Sequence, residues 1–420
     1  MEKRPGDGSL PLTGLAPPLV TGVDALLASM RDRGYAPSTL RVYGRVIGHF
    51  AQWALAGRCP TGTWCETTAR EFVDVHLPAC RCRLPVRRTR HGVPTVLRQL
   101  LAVLRAQGLV RLPAGHQPTA TAIEVERFET YLREVCGAAA ATRRYRTRYV
   151  REFLAHVFGR RPVVFARLQP STLVRFVTTR AQGCAPGTGR VIASALRSYL
   201  RFRQLGGDPR ATQLLAAVPH VAGWRLATLP PVLTDAQLRA VLAAFDRTTP
   251  TGRRDYAMVL CMATLGLRAS EVAALRLHDI DWRRGTLCVA GNKTHRARLL
   301  PLPASVGRAL AGYVRRGRPP TPTAQLFVRH SPPRGAGIET PIVRNATRAA
   351  YARAGLPPRY TGTHLLRHTV ATRLVCAGTS LKAIADLLGH QSIDTTAIYA
   401  KVDLPRLRTV ALPWPKRSGR

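Results

Sequence analysis

A histidine and an arginine three residues apart, His364 and Arg367, lie in a segment whose apolar spacing predicts a helix. Residues with this separation share one helix face, so both side chains are expected to reach the same point. An arginine can bind two phosphate oxygens with its fork of N–H donors, and a histidine can donate a hydrogen bond or move a proton. The pair predicts a phosphate-binding face, although a solvated basic face has the same pattern.

A tyrosine that could act as a nucleophile follows further along the chain. His390 comes directly after Gly389, a residue expected to end a helix, and Tyr399 lies in a short predicted helix beyond it. A tyrosine hydroxyl can attack a phosphorus atom and form a covalent intermediate. Taken singly, a histidine such as His390 is more often a helix C-terminal cap, and a tyrosine such as Tyr399 is more often a half-buried aromatic residue.

Another arginine follows a glycine at the end of an apolar predicted helix. Arg268 comes two residues after Gly266, and Glu271 lies three residues further on. An arginine after such a kink points toward whatever the kink faces, and the carboxylate of Glu271 is close enough in sequence to orient it. By itself the pattern is equally typical of a surface arginine beside an acidic residue.

A β-hairpin is predicted shortly after this arginine. Two short apolar runs, 286–289 and 298–301, are typical of strands, and the residues between them form a turn that carries Lys293. Lys293 is the only lysine in the turn, so it is the predicted cation at the hairpin tip. His295 and Arg296 lie in the same turn and are the alternatives for contacting a phosphate.

In this order, these residues resemble the tyrosine recombinase (phage integrase) family. The matching strings are Gly-Leu-Arg-x-Ser-Glu, a hairpin lysine, His-x-Leu-Arg-His, Leu-Gly-His and Thr-x-x-Tyr-Ala-Lys. The resemblance is specific over residues 232–402 and looser over residues 23–218. It implies that the catalytic residues are Arg268, Lys293, His364, Arg367, His390 and Tyr399.

The resemblance also implies a reaction. Tyr399 would attack the scissile phosphate, form a 3′-phosphotyrosine and release a 5′-hydroxyl. The 5′-hydroxyl of a partner strand would then attack the phosphotyrosine in the reverse step. Arg268 and Arg367 would stabilise the charge that builds on the phosphate oxygens. The sequence has no phosphate-binding loop and no paired carboxylates, so we expect no cofactor and no catalytic metal.

The remaining site residues would handle protons and geometry. Lys293 would protonate the leaving 5′ oxygen, and His364 would accept or relay the proton of the tyrosine. His390 would donate a hydrogen bond to a phosphate oxygen, and Glu271 would orient Arg268.

The chain is strongly basic along its whole length. Lys+Arg total 64 against 23 Asp+Glu, a formal net charge of +41, of which residues 1–231 carry +21 and residues 232–420 carry +20. This even excess favours a polyanionic partner, because neutralising phosphates releases counterions. Double-stranded DNA is the predicted partner. RNA is the alternative, but aromatic residues make up only 6% and no aromatic-rich strand is evident.

One predicted helix of the first half concentrates arginines. Arg143, Arg144 and Arg148, with Arg146 and Arg151 nearby, lie in an amphipathic stretch. We predict that the first three contact DNA. A solvated helix face is equally typical of such a run.

The fold class is predicted to be mainly α with a small β-hairpin or sheet in the catalytic domain. Helical N-terminal DNA-binding domains are expected to precede an integrase-type catalytic domain. The predicted order is a disordered N-terminus at 1–20, a helical domain at 21–115, a SAM-like helical core-DNA-binding domain at 120–218, a catalytic domain at 232–412 and a basic tail at 413–420. A capping box, Thr234-x-x-Gln237, marks the start of the catalytic domain.

The nine cysteines form no paired framework, so reduced thiols are expected. His76, Cys80 and Cys82 form the one group with metal-ligand chemistry. Because Cys-x-Cys is shorter than the usual ligand loop, packed thiols are favoured over a zinc site, and no metal is predicted.

The resemblance implies a homotetramer on DNA, with a dimer at each site, and leaves open a partner recombinase or accessory proteins. Two alternatives remain: a DNA-binding protein of the same fold without recombination activity, and a type IB topoisomerase. The longest apolar stretch is shorter than the ~20 residues of a membrane span. The Gly- and Pro-rich start lacks a signal-peptide core, so no membrane association and a cytoplasmic location are expected.

Overall fold

The computed structural model describes residues 17–57, 59–82, 92–110, 119–159, 161–184, 187–221, 230–291, 297–390, 392 and 394–399. Within these ranges the chain is mainly helical, with one small antiparallel sheet. The predicted fold class is therefore confirmed.

The helices are α1 Pro17–Asp32, α2 Pro37–Ala56, α3 Glu66–Glu71, α4 Leu77–Ala79, α5 Val93–Ala106, α6 Ala120–Glu134, α7 Ala140–Phe158, α8 Pro170–Ala181, α9 Thr188–Leu205, α10 Ala211–Ala217, α11 Asp235–Ala243, α12 Pro250–Leu265, α13 Ala269–Ala274, α14 Ala304–Arg316, α15 Thr340–Arg353, α16 His364–Cys376, α17 Leu381–Leu388 and α18 Asp394–Ala397. The strands are β1 Ile280–Asp281, β2 Thr286–Val289 and β3 Arg298–Pro301. A π-helical turn, Phe72–His76, joins α3 to α4.

By their internal contacts, the residues divide into two compact units. One comprises residues 226–420 together with 1–52 and 81–89, and the other comprises 53–80 and 90–225. The domain boundaries proposed from sequence stay predictions. The expected N-terminal disorder falls mostly on residues 1–16, and the basic tail on 413–420, both outside the described residues.

The unit that contains the C-terminal half is built around α12. This helix is buried from Ala257 to Ala263, where it is apolar on every side, and it packs against α14, α15 and α16. Thr249 begins the helix by accepting a hydrogen bond from the Gly252 backbone N–H at 3.0 Å. Gly266 ends it in the left-handed conformation, with φ of +64°. The chain therefore turns sharply just before Arg268.

The predicted capping box and strands are present in this unit. The Thr234 hydroxyl accepts from the Gln237 backbone N–H at 3.1 Å, and the Gln237 side chain accepts from the Thr234 N–H at 3.0 Å. Strand β2 pairs antiparallel with β1 and β3, and Leu287 lies opposite Leu300. Alternate residues of β2 are buried, so the sheet turns one face to the core. The two-residue β1 was not predicted, because it is too short to give a periodic signal.

The other unit has its own apolar core, formed mainly by helices α6 to α10. At its centre the Tyr199 hydroxyl donates to the buried Glu124 carboxylate at 2.9 Å, and Arg203 bridges Glu124 and Asp208 at 2.8 and 2.7 Å. The pKa of Tyr199 is raised, mainly because the side chain is buried and also because of the nearby negative charge of Glu124. This network ties α6 to α9, and every charged group in it has a partner.

Among the described residues, no helix combines the length and the apolar character that crossing a membrane requires.

We predict that Gly266→Ala destabilises the protein more than Gly285→Ala does. Both glycines have nearly equal positive φ angles, +64° and +62°, so both alanines carry backbone strain of about 1 kcal/mol. A Cβ at Gly266 would come within 2.5 Å of the buried Leu388 side chain, whereas nothing lies within 4 Å at Gly285. Repacking Leu388 should add about 1–3 kcal/mol. Urea unfolding of both variants measures this, and equal midpoints would contradict it.

Candidate active site

The side chain of Arg268 is fixed at the carboxyl end of α17. Its Nη2 donates to the Gly389 carbonyl oxygen at 3.1 Å, and its Nη1 lies 3.4 Å from the Leu388 carbonyl oxygen. Glu271, which is 3% exposed, accepts from both the Nη1 and the backbone N–H of Arg268 at 2.8 Å. The sequence-based prediction that Glu271 orients Arg268 agrees with this geometry.

Arg367 reaches the same helix end from α16. It is only 3% exposed, and it donates from Nη1 to the Gly266 carbonyl at 2.7 Å and from Nη2 to the Leu388 carbonyl at 2.6 Å. The pKa of Arg367 is lowered to about 10, mainly because the side chain is buried and also because Arg268 repels it. The guanidinium is therefore still charged at neutral pH, and the carbonyl oxygens that end a helix are suitable partners for it.

A third arginine, Arg298 of β3, joins the group and was not predicted. Its Nη1 donates to the Leu387 carbonyl at 2.8 Å, and its Nη2 lies 2.8 Å from the Glu271 carboxylate. Glu271 thus serves two arginines. No local pattern signals this role, because Arg298 lies twenty-seven residues from Glu271 and the two side chains meet only after folding.

The histidines of the site begin with two on one face of α16. His364 and His368 have ring centroids 6.3 Å apart, as expected for positions one helical turn apart. Burial lowers the pKa of His364, with a further contribution from Arg367. Burial also lowers the pKa of His368 to about 4, with a further contribution from His364. His368 is therefore neutral at pH 7.

His368 contacts the predicted nucleophile directly. Its Nδ1 and the Tyr399 hydroxyl oxygen lie 2.6 Å apart, and the two rings are 5.7 Å apart. This histidine is the last residue of the string His-x-Leu-Arg-His, and no role was predicted for it from the sequence. Its position four residues after His364 was the signal that could have identified it.

Tyr399 itself is buried, with 1% of its surface exposed. Its ring packs among Ala371, Val375, Ile384 and Leu388. Burial raises the pKa of its hydroxyl, while Arg367 and then Arg268 oppose that rise. The phenol is therefore protonated at neutral pH and requires a proton acceptor before it can attack.

His390 lies directly beyond Gly389, whose φ of +63° ends α17. Its Nδ1 is 2.7 Å from the Thr396 hydroxyl, so it connects the helix end to the segment that carries the tyrosine. Burial lowers the pKa of His390 to about 4, and Arg367 adds to this effect.

Five of the six predicted catalytic residues are thus placed on three segments that surround the end of α17. These residues are Arg268, His364, Arg367, His390 and Tyr399. Lys293 lies outside the described residues, together with the alternatives His295 and Arg296, so the choice among them stays a prediction.

The sequence matches the phage integrase family over residues 231–405. It is 38% identical over 332 residues to the integrase/recombinase y4rA of Sinorhizobium fredii, covering 79% of this chain and 80% of that protein. It is 31% identical over 285 residues to the tyrosine recombinase XerA of Thermococcus onnurineus, covering 68% of this chain and 92% of that protein. The chain belongs to the tyrosine recombinase family.

Solved structures show the same fold for this recombinase. The XerH site-specific recombinase in a post-cleavage complex with palindromic difH substrate superposes with a TM-score of 0.55 at 19% identity, covering 72% of this chain and 92% of that one. A lambda integrase dimer bound to a core site gives a TM-score of 0.52 at 18% identity, with coverages of 65% and 96%. The family resemblance inferred from the sequence motifs is therefore confirmed, and the chain is a tyrosine-type site-specific recombinase.

The arginines predicted to contact DNA lie on α7 of the recombinase. Arg144 is exposed, and Arg148 forms an exposed ion pair with Glu152 at 2.9 Å. Arg143 is half-buried and donates to the Ala138 carbonyl at 2.8 Å, so part of its donor capacity is used within the fold. Their role in DNA binding stays a prediction.

We predict that the thermal stability of the recombinase falls as the pH decreases from about 6.5 to about 4. The pKa of both His368 and His390 is about 4 in the folded chain, against an ordinary value of 6.5. In this window the unfolded chain binds more protons than the folded chain, so protonation favours unfolding. Above 6.5 these two histidines add no slope.

Differential scanning calorimetry across this pH range measures the effect. A double variant, His368→Phe with His390→Gln, should show a smaller slope than the parent. His278→Gln, at an exposed position, is the control. An unchanged slope in the double variant would refute the assignment.

Proposed function

We propose that this recombinase cuts and rejoins double-stranded DNA at a specific site, with Tyr399 as the nucleophile. The observation that carries the proposal is the convergence of Arg268 and Arg367 on the end of α17, while the segment beyond that end carries Tyr399. Two charged arginines beside a tyrosine hydroxyl form a site for phosphoryl transfer to a protein side chain. The net charge of +41, spread evenly over both halves, supports DNA as the substrate.

The arginines would bind the scissile phosphate. A guanidinium has five N–H donors, so Arg268 and Arg367 can each hold a helix carbonyl and still donate to a phosphate oxygen. Arg298 and Glu271 would keep Arg268 in position without touching DNA. As charge accumulates on the phosphate oxygens, these preorganised cations would stabilise the transition state.

The reaction would conserve the energy of the broken bond. The Tyr399 oxygen would bond to phosphorus as the bond from phosphorus to the 5′ oxygen breaks, and Lys293 would give that leaving oxygen a proton. The 5′-hydroxyl of a partner strand would then attack the phosphotyrosine and complete strand exchange. Because each cut strand needs one tyrosine, we propose a homotetramer, with a dimer at each of the two DNA sites.

The proton of Tyr399 would pass first to His368. At 2.6 Å, neutral His368 is within hydrogen-bond reach of the hydroxyl, and His364 lies one turn away as the next member of the relay predicted from sequence. His390 would donate to a phosphate oxygen. Since Tyr399 is 1% exposed, its hydroxyl must become accessible before it can attack DNA, and the described structure corresponds to a resting position.

We predict that Tyr399→Phe abolishes covalent capture of DNA while duplex affinity is retained. Nicked suicide duplexes drawn from the genomic flanks of the gene trap the intermediate as a denaturation-resistant adduct. Tyr360→Phe, a half-buried tyrosine elsewhere in the same unit, should form the adduct as the parent does. An adduct that persists with Tyr399→Phe would remove the nucleophile assignment. Transfer of the captured strand to a second duplex distinguishes recombination from topoisomerase-like relaxation.

We predict that Glu271→Gln slows cleavage of bound DNA on the order of 10²-fold, because Arg268 and Arg298 lose their shared anion and the phosphate-binding geometry shifts. Single-turnover cleavage at saturating DNA measures this rate, and filter binding should show little change in affinity. Glu339→Gln, an exposed glutamate outside the site, is the matched control. Equal cleavage rates for the two variants would show that Glu271 has no positioning role.

A further inference from the structure

A cavity rich in arginine lies in the unit that contains the C-terminal half, between the loop that follows α11, the start of α12 and one face of α14. Its volume is about 880 Å³, and its cationic lining residues are Arg247, Arg253, Arg308 and Arg316. We propose that this cavity, the basic pocket, binds an acidic segment of a protein partner through the carboxylates and an aliphatic side chain of that segment. This binding is a function separate from DNA cleavage.

Helix α14 forms one wall of the basic pocket, because its lining residues share one helix face. Ser305, Ala309, Gly312 and Arg316 follow one another at intervals of three or four residues, and Arg308 lies beside them. Ala309 and Gly312 are small, so the surface of the helix is recessed between Arg308 and Arg316. The Arg316 Nη2 lies 3.6 Å from the position that a Cβ at Gly312 would take, so this guanidinium borders the recess.

The opposite wall consists of the start of α12 and the loop before it. Arg253 donates from Nη1 to the Arg316 carbonyl oxygen at 3.1 Å and so joins the start of α12 to the end of α14. The Arg247 guanidinium lies 4.9 Å from the centre of the Tyr256 ring, at a distance typical of a cation–π contact. Both guanidinium groups are therefore held at the pocket, and each keeps N–H donors for a ligand.

The charge of the basic pocket is largely unmatched. In the part of the chain that the structure describes, none of the four arginines forms an ion pair with a carboxylate. Asp246 is the acidic residue among the described lining residues, and its carboxylate accepts from the backbone N–H of Thr248 at 2.9 Å. Four positive charges against one negative charge favour an anionic ligand.

The floor of the pocket is apolar, which distinguishes it from a solvated basic surface. Phe245 and Tyr313 are buried, and Ala309 is partly buried. The Arg353 guanidinium lies 5.6 Å from the centre of the Phe245 ring, and the Phe327 ring stacks on Tyr313 at 5.5 Å. A nucleobase binds best to an open ring face, whereas an aliphatic side chain needs only apolar surface. An acidic peptide with aliphatic residues therefore fits the pocket better than a nucleotide does.

The basic pocket is distant from the proposed catalytic residues. Arg253 and Tyr256 lie in the first two turns of α12, whereas Arg268 follows the other end of this 16-residue helix. At a rise of ~1.5 Å per residue, such a helix is about 24 Å long. An occupant of the pocket is thus separate from a phosphate bound at Arg268.

The composition of the chain favours a different protein as the partner over a second copy. Asp+Glu total 23 against 64 Lys+Arg, and the net charge is +41. The tail at 413–420 contains Lys416, Arg417 and Arg420 and no acidic residue. The four arginines would repel both this tail and another copy of the basic chain. Charge complementarity therefore favours an acidic protein.

Binding of a fluorescein-labelled acidic peptide to the full-length recombinase tests the proposal. The leucine probe consists of aspartate and glutamate residues with leucines at its centre, and the serine probe has the same charge with serines in their place. At about 150 mM salt, which screens long-range attraction, we expect the leucine probe to bind. The serine probe should bind more weakly on the order of tenfold, because it loses the contact with the apolar floor. Fluorescence anisotropy measures both affinities.

Arg308→Glu and Gly312→Glu are the decisive variants. Outside the helix backbone, the nearest atom to a Cβ at Gly312 is the Arg316 Nη2 at 3.6 Å, an ordinary contact, so α14 accommodates the new side chain. Each variant places a carboxylate in the pocket and should weaken binding of the leucine probe on the order of tenfold or more. Arg283→Glu is the charge-matched control for Arg308→Glu. It is exposed between β1 and β2, outside the pocket, and should bind the probe as the parent does.

Several results would overturn the proposal. Equal affinity of the parent for the two probes, or of Arg308→Glu and Arg283→Glu for the leucine probe, would show that the pocket is not the binding site. Displacement of the probe by a nucleoside triphosphate would assign the pocket to a nucleotide. A loss of duplex affinity or of self-association in Arg308→Glu that Arg283→Glu does not share would assign it to DNA or to a second copy.

Covalent capture of DNA by Tyr399 is a separate readout. Arg308→Glu should form the adduct as the parent does, because its position lies outside the proposed catalytic residues. Failure of the peptide-binding proposal therefore leaves the proposed DNA cleavage untouched, and the reverse also holds.

Discussion

The proposed catalytic residues depend on one interaction, the binding of three arginines to the carboxyl end of α17. Arg268, Arg367 and Arg298 donate to the carbonyl oxygens of residues 387–389, and Glu271 pairs with the first and the third. Three cations so close together would repel one another strongly in a low-dielectric interior. The helix carbonyls and the buried carboxylate of Glu271 offset that repulsion and leave a net positive site. Such a site suits the extra negative charge that would develop on the phosphate oxygens in the proposed transition state.

The same helix end connects the arginines to Tyr399, the proposed nucleophile. Gly389 turns the chain in a left-handed conformation, His390 follows it, and the next short helix leads to Tyr399. Leu388 contributes its carbonyl to Arg367 and its side chain to the cluster around the tyrosine ring. A shift of α17 would therefore change the phosphate-binding groups and the position of the tyrosine together.

Burial shifts the pKa values of the two partners of the proposed proton transfer in opposite directions, and both shifts favour the neutral form. It keeps His368 and His390 neutral, because the pKa of each is lowered to about 4, and it keeps Tyr399 protonated, because its pKa is raised. In the proposed reaction, neutral His368, whose Nδ1 lies 2.6 Å from the Tyr399 hydroxyl, would accept the tyrosine proton. Arg367, by contrast, stays charged at neutral pH, since its pKa is lowered only to about 10.

The sequence by itself determined the mainly helical class, the two longer strands, the capping box at Thr234 and the family, because these rest on local periodicity and on short motifs with fixed spacing. It also identified five residues that the fold brings around α17. Only the tertiary structure showed the role of Arg298 and the contact of His368 with Tyr399. Each of these roles is defined by a neighbour distant in sequence, and no local pattern encodes which distant side chain will arrive at 2.6 Å or 2.8 Å.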